Sequence, residues 1–275
     1  VRTALPPVAW RMINRGTKPG KSQTKQLTFT CGEMEALAQL DEKLCRANGN
    51  SAQWRLSENK AYQQSMNKTM ATTTFYGDEK VNPAGFTGFG AYYYSLTDAD
   101  VDAVYREHII DGGGTGNKLT SMWIVGWGND TVHGIFEEGD TAGFKYRDNG
   151  RVPVIDANGG KFYAYESQYN WSMGIAVRDP RYIVRIANID LSDTTATQKL
   201  LENMIKGYNL IEDPNNCKLA IYCNRQTMTL IDLLAQAKTN VNLTIDTFNG
   251  KKQTHFWGAP FRRSDAILTT ESAID

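Results

Sequence analysis

The longest regular polarity pattern in the chain lies between Lys161 and Asp190. Tyr163, Tyr165, Tyr169, Trp171, Met173, Ile175 and Val177 fall on one parity, and Phe162, Glu166, Gln168, Asn170, Ser172 and Arg178 on the other. Period-2 alternation of this extent predicts one half-buried β-strand, well beyond the usual length of about five or six residues. Asp179-Pro180 breaks the pattern, because proline donates no ladder hydrogen bond. A second strand, Tyr182 to Ile189, is expected to run back with Tyr182, Val184 and Ile186 on one side. Upstream, Asp156 to Gly160 supplies residues that tolerate positive φ for a tight reversal. The prediction is a ribbon that spans an elongated body or reaches toward a neighbour.

Helical periods flank the ribbon. Thr30-x-x-Glu33 reads as a capping box, predicting a helix to about Arg46 with Met34, Leu37, Ala38, Leu44 and Cys45 at helical spacing. Asn48-Gly49-Asn50 would end it. A longer helix is predicted from Ala52 to Phe75, with Trp54, Tyr62, Met66 and Met70 as a narrow stripe among polar residues. Such a helix suits one that lies across a sheet with its other face wet. Residues 76–95 read as a Gly/Pro loop leading into an aromatic strand. Thr97 is expected to cap a short helix carrying Val101, Val104, Tyr105 and His108. Ser121 to Ile135 reads as a strand pair around Gly126-Trp127-Gly128-Asn129, followed by the acidic turn Glu137-Glu138-Gly139-Asp140. Beyond the ribbon, a helix should start at Asp193 or Thr194 and carry Leu200, Leu201, Met204, Ile205 and Tyr208. A buried strand (Lys218 to Cys223), a helix (Arg225 to Lys238) and a hairpin at Asn249-Gly250 complete the series. Helices mixed with mainly antiparallel strands give the class α+β.

Residues 1–29 differ from the rest. They carry Arg2, Arg11, Arg15, Lys18, Lys21 and Lys25, with no acid before Glu33. Pro6-Pro7, Gly16 and Pro19-Gly20 interrupt them, while VAWRMI and KQLTFT look like short strands. This is an extended basic hairpin with too little apolar content to fold by itself, and such an arm lies on something else.

Composition narrows the function classes. The 275 residues make one large domain or two ordinary ones, with ample chain for a core. Thirty basic residues balance thirty acidic ones. A protein that grips nucleic acid would more often carry a basic excess, whereas one that merely encloses it needs none. No run approaches the roughly 18 apolar residues of a membrane span, and residues 1–20 hold no signal-peptide h-region. The first residue is Val1 rather than Met, so the chain is read as processed or incompletely represented. Cys31, Cys45, Cys217 and Cys223 form no C-x-x-C pair and no zinc spacing, which suits reduced thiols in a reducing cytoplasm.

The search for chemistry returns nothing. GGGTGNKLT from Gly112 lacks the adjacent Gly-Lys-Ser/Thr of a phosphate loop, and Gly126-x-Gly128 lacks a third glycine and a following helix. His108, His133 and His255 form no H-E-x-x-H, and no G-x-S-x-G exists. His133 beside Glu137 and Glu138 reads as a loop-facing histidine next to solvated acids rather than a metal site. No catalytic, cofactor-binding or metal-binding residue is expected, and no cofactor.

Several stretches carry a resemblance. LPPVAWRMINRGTKPGKSQTKQ, TCGEMEALAQLDEKL, RLSENKAYQQSMNKTMATTTFYGD, VGWGNDTVHGIFEEGD, RDPRYIVRIANID and FWGAPFRRSDAIL resemble the major capsid proteins of tailed phages. They are most like the coat proteins of short-tailed phages of the epsilon15 and Bordetella-phage type. The likeness runs from Leu5 to Leu268 in the same order, and VHGIF and VRDPRYIVRIANID are its most specific parts.

The resemblance implies an HK97-type capsid fold, with connectivity rearranged relative to the prototype. Residues 1–29 would be its extended loop, 30–95 and 141–190 the peripheral domain with a spine helix at Ala52 to Phe75, and 96–140 and 191–275 the axial domain. The family has an arm before the extended loop, and this chain begins at or inside that loop. The implied function is self-assembly into hexamers and pentamers of an icosahedral head, in the host cytoplasm, around double-stranded DNA that is not read by sequence. Decoration, scaffolding and portal proteins are the implied further partners, with no membrane. Some relatives of the prototype crosslink Lys to Asn, and Lys18, Lys21 and Lys25 lie in the matching region, although crosslinking is not the favoured expectation. Charge alone suggests Trp10, Arg11, Arg15, Lys18 and Lys21 as intersubunit contacts, with Glu137, Glu138 and Asp140 as their acidic counterparts. Two other readings are an encapsulin-like compartment shell, distinguished by a cargo enzyme in place of DNA, and a soluble enzyme or binding domain, distinguished by a ligand-sized pocket.

Overall fold

The computed structural model describes residues 2–4, 6–24, 26–47, 49, 51–139, 141–192, 196–236, 242–248 and 250–275. Strands β1 (Arg2–Ala4) and β2 (Gln23–Thr24) pair antiparallel, so the basic arm is a hairpin. Neither VAWRMI nor residues 26–30 form the expected strands, since neither stretch has a ladder partner among the described residues.

The expected helix from Thr30 is overturned. Gly32–Asp41 is strand β3, paired antiparallel to the ribbon from Gly32↔Met173 to Asp41↔Ala164. The stretch Glu33-Met34-Glu35-Ala36-Leu37-Ala38-Gln39-Leu40 satisfies both the helical and the period-2 template, with Leu37 the misfit, half exposed on the polar side. Helix propensity is a weak prior, and a ten-residue ladder outweighs it. The Thr30 hydroxyl, free of any cap, donates to Glu79 Oε2 at 2.5 Å. Only the end of the predicted helix survives, as α1 (Glu42–Ala47), tied to the ribbon by Arg151 Nε on Glu42 Oε2 at 2.8 Å.

The long helix is present as α2 (Ser51–Tyr76). Met66 and Met70 of its stripe are buried, and Tyr62 stacks on Tyr169 at 5.7 Å between centroids. Together with Ala38, Met66 and Tyr169 form a small satellite core beneath the helix. The aromatic strand expected before residue 95 is instead a 3₁₀ turn, Phe89–Ala91, and the segment places Phe89 and Tyr93 in the main core.

Next come α3 (Ala103–Glu107), β4 (Ile109–Asp111), β5 (Leu119–Trp127) and β6 (Val132–Ile135). The expected pairing of the last two is confined to Trp127↔Val132, and β6 turns away to another partner. The ribbon is β7 (Gly143–Ile155) with β8 (Lys161–Val177), antiparallel throughout. Asp156 Oδ1 accepts from Asn158 N and Gly160 N across the reversal, with Gly159 at φ 82°. The 17-residue β8 serves two regions. Ala164–Ser172 lies between β7 and β3, while Gly174–Val177 pairs with β6.

After the Asp179-Pro180 break, β9 (Ile183–Asp190) does not run back along β8. It pairs antiparallel with β5 and parallel with β4. Then follow α4 (Ala196–Leu210), whose expected first residues Asp193 and Thr194 lie outside the described residues, β10 (Lys218–Cys223) and α5 (Arg225–Gln236). Three more strands close the chain: β11 (Leu243–Phe248), β12 (Lys251–Phe256) and β13 (Ala259–Arg263). Asn249 of the predicted hairpin lies outside the described residues, and Gly250 takes φ 73° between the two paired strands.

Strand β5 is the hub, flanked by β9 and β10, with Leu119 through Gly126 buried. Trp123 sits among Phe75, Phe89 and Tyr93. The last residues return to this hub: Glu271 bridges Leu119, and Asn188 and Ile274 exchange hydrogen bonds.

Candidate assembly surfaces

The arm leaves the body with its apolar side chains bare. Val8 is 94% exposed, Ile13 92% and Trp10 fully. Water is a poor place for such residues, since burying one contributes about 1.5–3 kcal/mol. A small turn holds the tip: Arg15 N donates to Met12 O at 3.2 Å, Arg11 Nε donates to Arg15 O at 3.1 Å, and Asn14 adopts φ 65°. The two legs meet closely where Gly20 faces Pro7, because a Cβ there would fall 2.6 Å from the proline ring. Lys18 and Lys21 stand in solvent with no ion pair to any described residue.

Glu137 and Glu138 are exposed in the turn after β6, and Asp140 lies outside the described residues. Within one chain the structure does not bring these acids to the arm's cations. Glu137 lies instead near the arm's base. Burial, and next the charge of Glu137, push the Cys31 thiol up. Ile135 packs close to the Thr30–Cys31 backbone across Gly174, where an added Cβ would meet all three. Glu79 accepts from the neighbouring Thr30. Sequence reasoning missed Asp78 and Glu79, which sit in what reads as an ordinary Gly/Pro loop. No local signal shows that residues 77–86 fold back beside Thr30.

A second group that the sequence did not reveal lies in the core. Arg185 Nη2 meets Glu271 Oε2 at 2.8 Å with both side chains under a tenth exposed. Glu271 also accepts from Ser121 Oγ at 2.5 Å and from the Tyr76 hydroxyl. Burial, then the Glu271 charge, push the Tyr76 hydroxyl far up, so it remains a donor. This network joins the end of α2, the hub strand and the C-terminal segment, with its ion pair buried.

The histidines are scattered. His133 lies in β6, half buried opposite Ala176, rather than facing out of a loop. Burial and then Arg178 lower its pKa, with Asp130 opposing. His108 Nδ1 is 2.8 Å from Val104 O, and His255 Nδ1 is 3.4 Å from Asp246. Among the described residues no three His, Cys, Asp or Glu side chains converge as for a metal.

The chain is thus a mixed α+β body that projects a bare arm of tryptophan, isoleucine and cations. The family model described as major capsid protein GP7 matches residues 1–275, and the chain belongs to that family. Five solved chains match the structure. One, from the near-atomic structure of bacteriophage epsilon15 derived from cryo-EM and modelling, is 31% identical, with a TM-score of 0.69 over 100% of this chain and 83% of that one. No curated protein matches the sequence. The protein is thus a phage coat protein of HK97-like fold, a structural component of the virion capsid.

Proposed function

We propose that this coat protein assembles with copies of itself into the hexamers and pentamers of an icosahedral head, formed in the host cytoplasm around double-stranded DNA. The observation that carries the mechanism is the arm, whose residues 6–22 are exposed throughout, Trp10 and Ile13 included. Residues 1–29 act as the extended loop that laps a neighbour, and α2 as the spine of a peripheral domain made of 30–95 and 141–190. The axial domain takes 96–140 and 191–275. The pairing of β9 with β5 favours counting Ile183–Asp190 with the axial part. Trp10, Arg11, Arg15, Lys18 and Lys21 form the adhesive face, with Glu137 and Glu138 among its acidic counterparts. Their attraction is mainly a matter of orientation and rate, while the buried tryptophan supplies adhesion.

The test is expression of the open reading frame with its neighbouring head genes, read by light scattering and negative-stain microscopy. Megadalton shells or capsomer rings are expected. A chain lacking residues 1–29 should stay folded by circular dichroism and form none. Shells from that truncated chain would refute the role given to the arm.

A further inference from the structure

This inference rests on the coat-protein reading and names the surface that receives the arm. A depression of about 270 Å³ opens where the last turns of α2 meet the 77–86 loop. Thr72, Tyr76, Val81 and Phe86 line it, together with Asp78, and Val81 stands 83% exposed there. The shape is held by close backbone approach: a Cβ on Gly77 or Gly88 would fall 2.5 Å or 2.3 Å from Thr73 O. A cavity of about 150 Å³ admits benzene, so this one is large enough for an indole ring.

Charge marks the same place. Asp78 lines the depression, Glu79 next to it accepts from Thr30, and the charge of Glu137 reaches the adjoining Cys31, with Lys80 the one cation in residues 77–86. The arm presents the complement, Trp10 among Arg11, Arg15, Lys18 and Lys21 with no acid. In its own chain Trp10 is fully exposed and therefore not in this depression.

We propose that Trp10 of one copy seats in the depression between Tyr76, Val81 and Phe86 of a second copy, with Arg11 and Arg15 against the acidic collar of Asp78, Glu79 and Glu137. Donor and receiver are different surfaces of identical chains, so the contact is heterologous. Repeated head to tail, it generates rings when the rotation closes, which is the geometry a capsomer needs. An aromatic anchor in a pocket ringed by charge is also the composition of an interface hot spot.

The test uses the whole chain under conditions where it forms particles. Trp10→Cys and Val81→Cys are combined in a background with Cys31→Ser and Cys217→Ser, and formed particles are treated with a short bismaleimide. The expected result is a ladder of covalently linked copies, because every chain carries both halves, while each single variant stays unlinked. Particles without linked copies would overturn the proposal, as would a ladder from Trp10→Cys with Ile155→Cys in place of Val81→Cys. Should the double variant form no particles, the charges decide. Arg11→Asp and Asp78→Arg should each lower particle yield at least tenfold and should restore it in combination; no restoration overturns the docking. An unaltered chain that never forms particles is a different failure, that of the assembly reading itself.

Discussion

Replacing Glu271 by alanine is expected to be among the most damaging single substitutions in the body of the protein. The side chain is 8% exposed and its Arg185 partner 7%. Its removal strips Arg185 of its counter-charge and leaves Ser121 and Tyr76 without their acceptor. Arg185 keeps Tyr93 O at 2.7 Å, Ser121 Oγ at 3.1 Å and the Trp123 ring at 5.0 Å. Those contacts do not neutralise a buried cation. Breaking a buried pair from one side costs about 3–5 kcal/mol. At about 2–4 °C per kcal/mol in a chain of this size, the melting temperature should fall on the order of 10 °C. Glu271→Gln keeps the shape and one acceptor oxygen but not the charge, so its cost should be about 2 kcal/mol. The double variant Arg185→Met/Glu271→Leu, which removes both charges, should recover most of the loss. The assay is urea unfolding of unassembled subunits with the slope compared between variants. A Glu271→Ala loss under about 1 kcal/mol, the range of a surface pair, would show that the network is solvated and the reasoning wrong.

Other outcomes follow from the same geometry. Gly88→Ala should fail to fold or melt far below the parent, since the new Cβ would meet Thr73 O at 2.3 Å and backbone cannot yield cheaply; a normal melting curve would contradict that. Met66→Ala should cost about 2–5 kcal/mol by opening a cavity under α2, read by denaturant midpoint. In thiol labelling of the native chain, exposed Cys31 should react while Cys223 stays silent, because burial and then Asp232 push its thiol up to about 12. Burial raises the Asp148 carboxyl, but the Gly150 N–H and Arg55 outweigh it and leave it below its ordinary value. Its folded-state pKa is therefore depressed, so its stabilisation is complete above the ordinary carboxylate value of about 4 and is lost as pH falls through the folded value. With Asp148 42% exposed, the effect should stay under about 1 kcal/mol, and Arg55→Met should reduce the acid-limb slope of a stability–pH profile.

The ribbon and the long helix were legible because their signals are local and redundant. Seventeen residues of alternation from Lys161, closed by Asp156-to-Gly160 at one end and Pro180 at the other, admit few other folds. The stripe Tyr62, Met66, Met70 suits one helical face and no strand. The helix read from Thr30 failed because Gly32–Asp41 fits two periods at once, and the choice rests with β8, more than a hundred positions away. The arm was legible as an arm from its charge, prolines and sparse apolar content, but its strands were not, because their pairing is set by the close approach of Gly20 to Pro7.

What the sequence determined by itself was composition and periodicity: neutral charge, a basic arm without a core, an over-long strand, a spine-length helix and no catalytic constellation. Tertiary structure alone decided which strands meet. It moved β9 to the hub, sent β6 to β8, buried Arg185 against Glu271 and set Glu79 and Glu137 near the arm's base. Each of these joins residues far apart in the chain. Such contacts depend on which loops can close and which surfaces exclude water together, and neither is written in a local window.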